Sequence, residues 1–247
     1  MTATSGNATR RVVHCMGTVF SFDVREPGVS ETVLDEAGAL LRGVDETFST
    51  YREGSEVSQI ARGELSIAAS SPEVRFVLAE CERYRLLTDG YFSAYAAGAL
   101  DPSGYVKGWA IERASDLLRA AGSTHHYVNG GGDVQCVGGT TTATPWHIGI
   151  ADPRQVGKIL TVVAGTDFAI ATSGSQERGA HVVDPHTGAS PAGLLSLTVV
   201  GPQLSQADVY ATAGFAMGGR RAREWAESLS GYRAYAVTDD GDTWSTF

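Results

Sequence analysis

Between residues 31 and 48 the apolar positions Val33, Leu34, Ala37, Leu40, Leu41, Val44 and Phe48 return every three or four residues, with Ser30 placed to cap them. That spacing predicts a helix with one inward face. A second helix is predicted from Ser71 as N-cap and Pro72 at the first helical position, with Val74, Val77, Leu78 and Cys81 as its stripe and Gly90 beyond its end. A third is predicted over residues 106–121, with Trp109, Ala110, Ala114, Leu117 and Leu118 inward and Gly122 as its stop. Residues 12–24 are instead rich in β-branched and aromatic side chains around Gly17, and Pro27-Gly28 closes them. They predict a strand pair or one bulged strand. From residue 127 to 200 short β-prone runs at 134–137, 147–150, 159–163, 168–171, 181–183 and 195–200 are separated by Gly, Pro and Asp. Helices near 205–217 and 221–229 and strands at 234–238 and 243–247 complete the pattern. Helices and strands are partly segregated, without βαβ alternation, so the expectation is an α+β fold. It is one domain over residues 11–247, with a mixed or antiparallel sheet core, flanking helices and a flexible tail at 1–10.

Composition narrows the function. With 43% apolar and 19% charged residues the chain has the makings of a folded domain, and a net charge of −9 removes the general basic field that nucleic acid or an anionic membrane surface would need. An anionic ligand would therefore require a local answer from a metal ion or aimed N–H groups. Cys15, Cys81 and Cys136 are scattered and show no Cys-x-x-Cys spacing, which argues against a disulfide framework or a zinc site. The first eleven residues lack an apolar core of the secretory kind, and no apolar run is long enough for a membrane span, so the expected setting is cytoplasmic without membrane insertion.

The chain has no Gly-x-x-x-x-Gly-Lys-[Ser/Thr], Gly-x-Ser-x-Gly or His-Glu-x-x-His pattern. Gly130-Gly131-Gly132-Asp133 fails to complete a dinucleotide fingerprint because Gln135 stands at the last glycine, and it reads as a tight turn between strands. Asp208 and Thr212, four apart on one helical face, are hard oxygen donors suited to Mg²⁺, which takes few protein carboxylates and completes its shell with water and phosphate. The same stretch also fits a capping box from Ser205 to Asp208. Asp101-Pro102-Ser103-Gly104, with Lys107 following, fits either a turn with a helix cap or a phosphate-binding helix start. His181 fits a structural histidine or an acid–base group.

In their order these pieces resemble the FAD:protein FMN transferase (ApbE) family. The residues that carry the resemblance are Met16-Gly17-Thr18; Phe48-Ser49-Thr50-Tyr51; Leu100-Asp101-Pro102-Ser103-Gly104 through Lys107-Gly108; Asn129-Gly130-Gly131-Gly132-Asp133; Ala171-Thr172-Ser173-Gly174; His181-Val182-Val183-Asp184-Pro185; and Ala207-Asp208 through Thr212. The resemblance implies transfer of FMN from FAD, the substrate, to a Ser or Thr of an acceptor flavoprotein, with release of AMP and with Mg²⁺ as cofactor. It implies that Met16, Tyr51, Tyr91 and Phe92 contact the flavin, the last two adding to the pocket of the first two. It further implies that Asp101, Lys107 and Val182 help hold FAD, and that the Gly104 carbonyl, Asp208 and Thr212 ligate the metal. His181 is the candidate for assisting proton removal from the acceptor hydroxyl. Ser93 stands where the family commonly has Asp at a ligand contact, and the stretch from Phe92 to Asp101 is shorter than in many members. Two other activities fit the same residues: an FAD pyrophosphatase giving FMN and AMP, and a non-catalytic FAD-binding protein.

Overall fold

The computed structural model describes residues 8–26, 28–175 and 182–247. Strands β1 (Thr9–Cys15) and β2 (Thr18–Val24) form one antiparallel hairpin with Cys15 opposite Thr18, so the β-rich stretch is a strand pair and not a single bulged strand. β1 begins at Thr9, inside the segment expected as a tail. The hairpin continues through β3 (His126–Gly130) and β4 (Asp133–Val137), whose connection at Gly131-Gly132 is the tight turn anticipated from the glycines. Between β4 and the next strand of this sheet lies a separate ribbon, β5 (Trp146–Ala151) and β6 (Ile159–Gly165). The main sheet resumes with β7 (Ala169–Gly174), β8 (Ser196–Gly201), β9 (Arg233–Val237) and β10 (Thr243–Ser245). Among the described residues its order is β1-β2-β3-β4-β7-β8-β9-β10, and every neighbouring pair is antiparallel. The strand expected at 181–183 is not found at its described residues, where Val182 and Val183 have no regular structure.

Helices α1 (Glu31–Phe48), α3 (Pro72–Leu87), α4 (Ser103–Ala120), α5 (Leu204–Met217) and α6 (Gly219–Glu227) join the sheet in one core, in which Phe20, Phe22, Leu34, Leu41, Ile111, Leu118, Leu197 and Leu204 are fully buried. Each such side chain contributes roughly 1.5–3 kcal/mol through burial. A short helix, α2 (Glu56–Ala61), has no counterpart in the sequence reading; six residues are too few to display a period. β4 is buried on both faces. Its alternate side chains diverge: Asp133 and Gln135 reach helices, while Val134 and Cys136 join Trp146, Ile150, Phe168 and Ile170 in a second core beneath the ribbon.

The first residue of β3 adds a pH-sensitive element. His126 is fully buried, with Nε2 2.8 Å from the Ser115 hydroxyl and Nδ1 2.9 Å from that of Ser123. Burial drives its pKa down from 6.5 to about 4. The unfolded chain takes up this proton below pH 6.5 while the native ring refuses it until about pH 4, so stability is complete above the window and falls as the pH drops through it. The loss amounts to about 3 kcal/mol at 1.36 kcal/mol per unit. Urea unfolding at pH 7 and 4.5 should show it, and His126→Asn should flatten the slope in that interval. Glu26 acts mainly below that interval: burial opposes its charge, but hydrogen bonds from Ser123, Thr124 and His125 lower its pKa to about 2, so its contribution is full well above pH 4.5 and is lost as the pH falls from there towards 2.

Candidate active site

The site begins where α4 and α5 touch. The Asp101 carboxylate accepts the Ser103 N–H at 2.9 Å, and Tyr105 and Val106 donate to the Pro102 carbonyl, so α4 starts at Ser103, three residues before the sequence pattern suggests. Gly108 lies against the start of α5: a Cβ there would stand 2.9 Å from the Leu204 carbonyl oxygen and from the Ser205 Cα. One turn earlier, a Cβ on Gly104 would meet the Phe92 ring at 3.1 Å and the Thr212 hydroxyl at 3.7 Å. The helices therefore run antiparallel along a glycine-lined seam, and Gly104 faces the pair predicted as metal donors.

α5 is buried nearly all round, and small residues at Ala207, Ala211, Ala213 and Gly214 let it sit between α4 and the sheet. Its N-terminus is satisfied from elsewhere: Leu204 N–H donates to Gln135 Oε1 at 3.2 Å and Ser205 N–H to Glu112 Oε1 at 3.0 Å. Burial raises the Glu112 pKa, which the N–H groups of α5 partly offset. Ser205 is thus inside the helix, Gln203 is the N-cap, and the capping-box reading of Ser205 to Asp208 does not hold. Asp208 is buried and lies 3.4 Å from the Lys107 ammonium, which also forms a short ion pair with the buried Asp133. Asp133 accepts the Thr172 N–H at 2.9 Å through its other oxygen. Ser173 and Thr212 share a hydroxyl contact of 3.3 Å. Asp133 was absent from the predicted site residues; the signal available was an acidic residue directly after three glycines.

Two cavities open around this seam and share Gly17, Ser103 and Lys107. One of about 350 Å³ is lined by nine of the predicted residues: Tyr91, Phe92, Ser93, Asp101, Gly104, Lys107, Val182, Asp208 and Thr212. The other, of about 510 Å³, holds Met16 and Tyr51 together with Val44, Phe48 and Val106. The four residues expected to share one flavin pocket thus divide between adjoining cavities. Tyr91 and Phe92 are buried wall residues: Tyr91 packs on His186 at 4.5 Å and under Arg221 at 4.7 Å, and Phe92 meets Tyr84 edge-on. Tyr51 is 96% exposed. Met16 occupies the hairpin turn with φ of +50° beside Gly17 at +65°; both turn positions need positive φ, which glycine accepts and methionine adopts only with strain. The turn thereby holds the Met16 thioether at the second cavity. Ser93 accepts the Tyr95 N–H at 3.1 Å and lines the first. His181 lies outside the described residues.

Among the described residues no three His, Cys, Asp or Glu side chains converge as a metal cluster. Asp208, Thr212 and Gly104 all border the first cavity, and hard oxygen donors with few carboxylates suit Mg²⁺ sharing its shell with phosphate and water better than a softer ion. Cys15, next to Met16, has its pKa pushed up to about 11 by burial, so it is a thiol and not a thiolate nucleophile. Among the described residues no helix is long and apolar enough to cross a membrane.

The model of the ApbE family matches the chain over residues 16–98 and 93–236. The FAD:protein FMN transferase of Vibrio cholerae serotype O1 is 26% identical over 275 residues, covering 86% of this chain and 82% of the relative. That of Rhodobacter capsulatus is 31% identical over 162 residues, 62% of this chain but 31% of the relative, and that of Escherichia coli K12 is 28% identical over 158 residues, 60% and 45%. The chain thus matches less than half the length of the latter two. Among solved structures, the flavin transferase ApbE from Vibrio cholerae superposes with a TM-score of 0.83 at 25% identity over 97% of both chains. The ApbE protein of Thermotoga maritima gives 0.85 at 21% identity over 96% of both, a likeness of fold.

The helix seam can be tested directly. Gly108→Ala should cost about 1–3 kcal/mol by forcing backbone apart, although alanine is otherwise the better helix former by about 1 kcal/mol. Gly43→Ala, at an exposed position of α1 with open space around it, should instead be neutral or stabilising. Equal urea midpoints for the two variants would show that α4 and α5 do not need glycine at their contact.

Proposed function

Because the chain belongs to the ApbE family, we propose that it transfers the FMN half of FAD to a Ser or Thr hydroxyl of an acceptor flavoprotein and releases AMP, in a Mg²⁺-dependent reaction. The observation that carries the reading is the junction of the two cavities at Lys107. On one side lie the buried Asp208 carboxylate and the Thr212 hydroxyl; on the other lies an apolar space bounded by Met16, Val44, Phe48 and Val106. A ligand with a charged diphosphate and a large flat ring fits that division. The relatives named FAD:protein FMN transferase supply the same reading from a separate direction.

Each residue then has a chemical part. Met16 and the exposed face of Tyr51 offer deformable and flat apolar contact to the isoalloxazine. Tyr91, Phe92 and Ser93 wall the phosphate end, where Val182 brings the chain past it. Asp101 shapes the helix start by accepting the Ser103 N–H, and the Lys107 ammonium addresses phosphate oxygens. Asp208, Thr212 and the Gly104 carbonyl would hold Mg²⁺, which supplies charge neutralisation at the diphosphate. His181 assists removal of the acceptor's proton during attack on the FMN phosphorus, and the bond from that phosphorus to the AMP oxygen breaks.

Three outcomes test this. FAD should bind more tightly than riboflavin, which lacks every group that Lys107 and Asp208 address. Asp208→Ala should lower AMP release by at least about 10²-fold, the scale of losing preorganised charge stabilisation, without unfolding the chain. His181→Ala should slow transfer by about 10²–10⁴-fold while changing FAD affinity far less. In-gel flavin fluorescence of a denatured acceptor, beside AMP quantification, reads the reaction. Free FMN and AMP with no labelled acceptor would replace transfer by hydrolysis, and FAD binding with neither product would leave a carrier.

A further inference from the structure

The turn after Val182 and Val183 is tied to another wall of the first cavity through the His186 side chain. Residues 184–189 close on themselves. The Thr187 and Gly188 N–H groups donate to the Asp184 carbonyl at 3.2 and 2.7 Å, and the Asp184 N–H donates to the Ala189 carbonyl at 2.8 Å. The Asp184 carboxylate accepts the His186 N–H at 2.9 Å and the Thr187 hydroxyl at 3.0 Å. The His186 imidazole reaches out of this turn: its Nε2 lies 2.8 Å from the Asp89 carbonyl oxygen, just past α3, and its ring packs on Tyr91 at 4.5 Å. A carbonyl oxygen only accepts, so Nε2 carries a proton and donates it. A Cβ on Gly90 would stand 3.3 Å from the ring, so glycine there lets the imidazole lie close. The wall it reaches is held independently. Asp89 and Gly90 turn the chain with φ of +52° and +81°, the Tyr91 and Phe92 N–H groups donate to the Thr88 carbonyl and hydroxyl at 3.1 and 3.0 Å, and Arg221 lies over the Tyr91 ring at 4.7 Å.

Val182 and Val183 line the cavity that Tyr91, Phe92 and Ser93 also line, and two residues, Asp184 and Pro185, separate Val183 from His186. We propose that His186 is a positioning residue for the ligand: its Nε2–H, bonded to the Asp89 carbonyl, holds Val182 and Val183 at a fixed distance from the Tyr91 turn and so sets the width of the first cavity. The inference rests on the reading of that cavity as the phosphate end of an FAD site. His186 is itself exposed, so its bond adds little to the stability of the whole chain and its loss acts locally. Without it the turn samples several arrangements, and affinity falls in proportion to the time spent in the one that matches the ligand.

The test pairs hydrogen–deuterium exchange of the full chain with a titration of FAD in the presence of Mg²⁺. His186→Ala should speed exchange at the Asp184 and Gly188 amides, whose bonds close the turn, while leaving residues 89–93 and the urea midpoint unchanged. It should weaken FAD binding about tenfold, the effect of a competent arrangement populated about one-tenth of the time. His186→Gln places an amide N–H near the position of Nε2 and should recover most of both losses. His186→Phe keeps a ring against Tyr91 without the donor and should recover neither. Unchanged exchange or unchanged FAD affinity in His186→Ala, wild-type affinity in His186→Phe, or a His186→Gln variant as weak as His186→Ala would overturn the proposal. A urea midpoint that fell in step with affinity would overturn it too, by showing a loss of the fold in place of a loosened turn. If the wild-type chain bound no FAD, the reading of the cavity would be what fails, and the proposal would fall with it.

Discussion

Everything at the site depends on the backbone-to-backbone contact between α4 and α5. With any side chain at Gly108, the start of α5 would have to move away from α4, because the groups a Cβ meets there are a carbonyl oxygen and an α-carbon that cannot rotate aside. Gly104 and Gly108 each lower helix propensity by about 1 kcal/mol relative to alanine. Packing overrides that preference. The contact fixes the height of α5 against α4, and two long-range hydrogen bonds donated by its N–H groups to Gln135 and Glu112 fix its first turn. Asp208 and Thr212 follow one and two turns later, so their positions are set by residues that touch no ligand.

β4 supplies the second constraint. A strand buried on both faces cannot shift its register by one residue without sending Asp133 and Gln135 under the ribbon and Val134 and Cys136 among the helices. That exchange would strand a charge in an apolar core and break both the Lys107 pair and the anchor of α5. The ribbon β5–β6 is therefore part of how the site is held, although it contributes no lining residue: its Trp146 and Ile150 fill the core that makes the register of β4 unique.

What could be read from the sequence follows from how far each signal reaches along the chain. The stripe of α1, the Ser71-Pro72 start of α3 and the glycine turn before Asp133 are written within a few residues, and the structure has all three. Local caps were legible where they are local. The start of α5 was misplaced because its caps come from residues 69 and 93 positions away, while Ser205 offered a plausible cap close by. α4 begins early because Pro102 occupies the N-cap and Asp101 reaches past it to Ser103. Of the candidate site, nine residues lie on one cavity, but the separation of Met16 and Tyr51 into a second depends on how the hairpin turn stands relative to α4, which no periodicity encodes. Asp133 was hidden for a similar reason: its partners Lys107 and Thr172 lie 26 and 39 positions away.

The electrostatics then explain how a chain of net charge −9 can serve an anionic ligand under the proposed reading. Asp133 pairs with Lys107, which also lies 3.4 Å from Asp208, and Asp101 borders the same cavity, so among these groups carboxylates outnumber the ammonium. In that state the centre repels a diphosphate. A divalent cation held by Asp208 would offset that charge beside the cavity junction, so the cation would favour phosphate and the phosphate would complete the cation's shell. Each ligand must raise the affinity for the other by the same factor. A site with more carboxylates would bind the metal alone and lose this mutual dependence; a site with more lysines would hold the diphosphate without it.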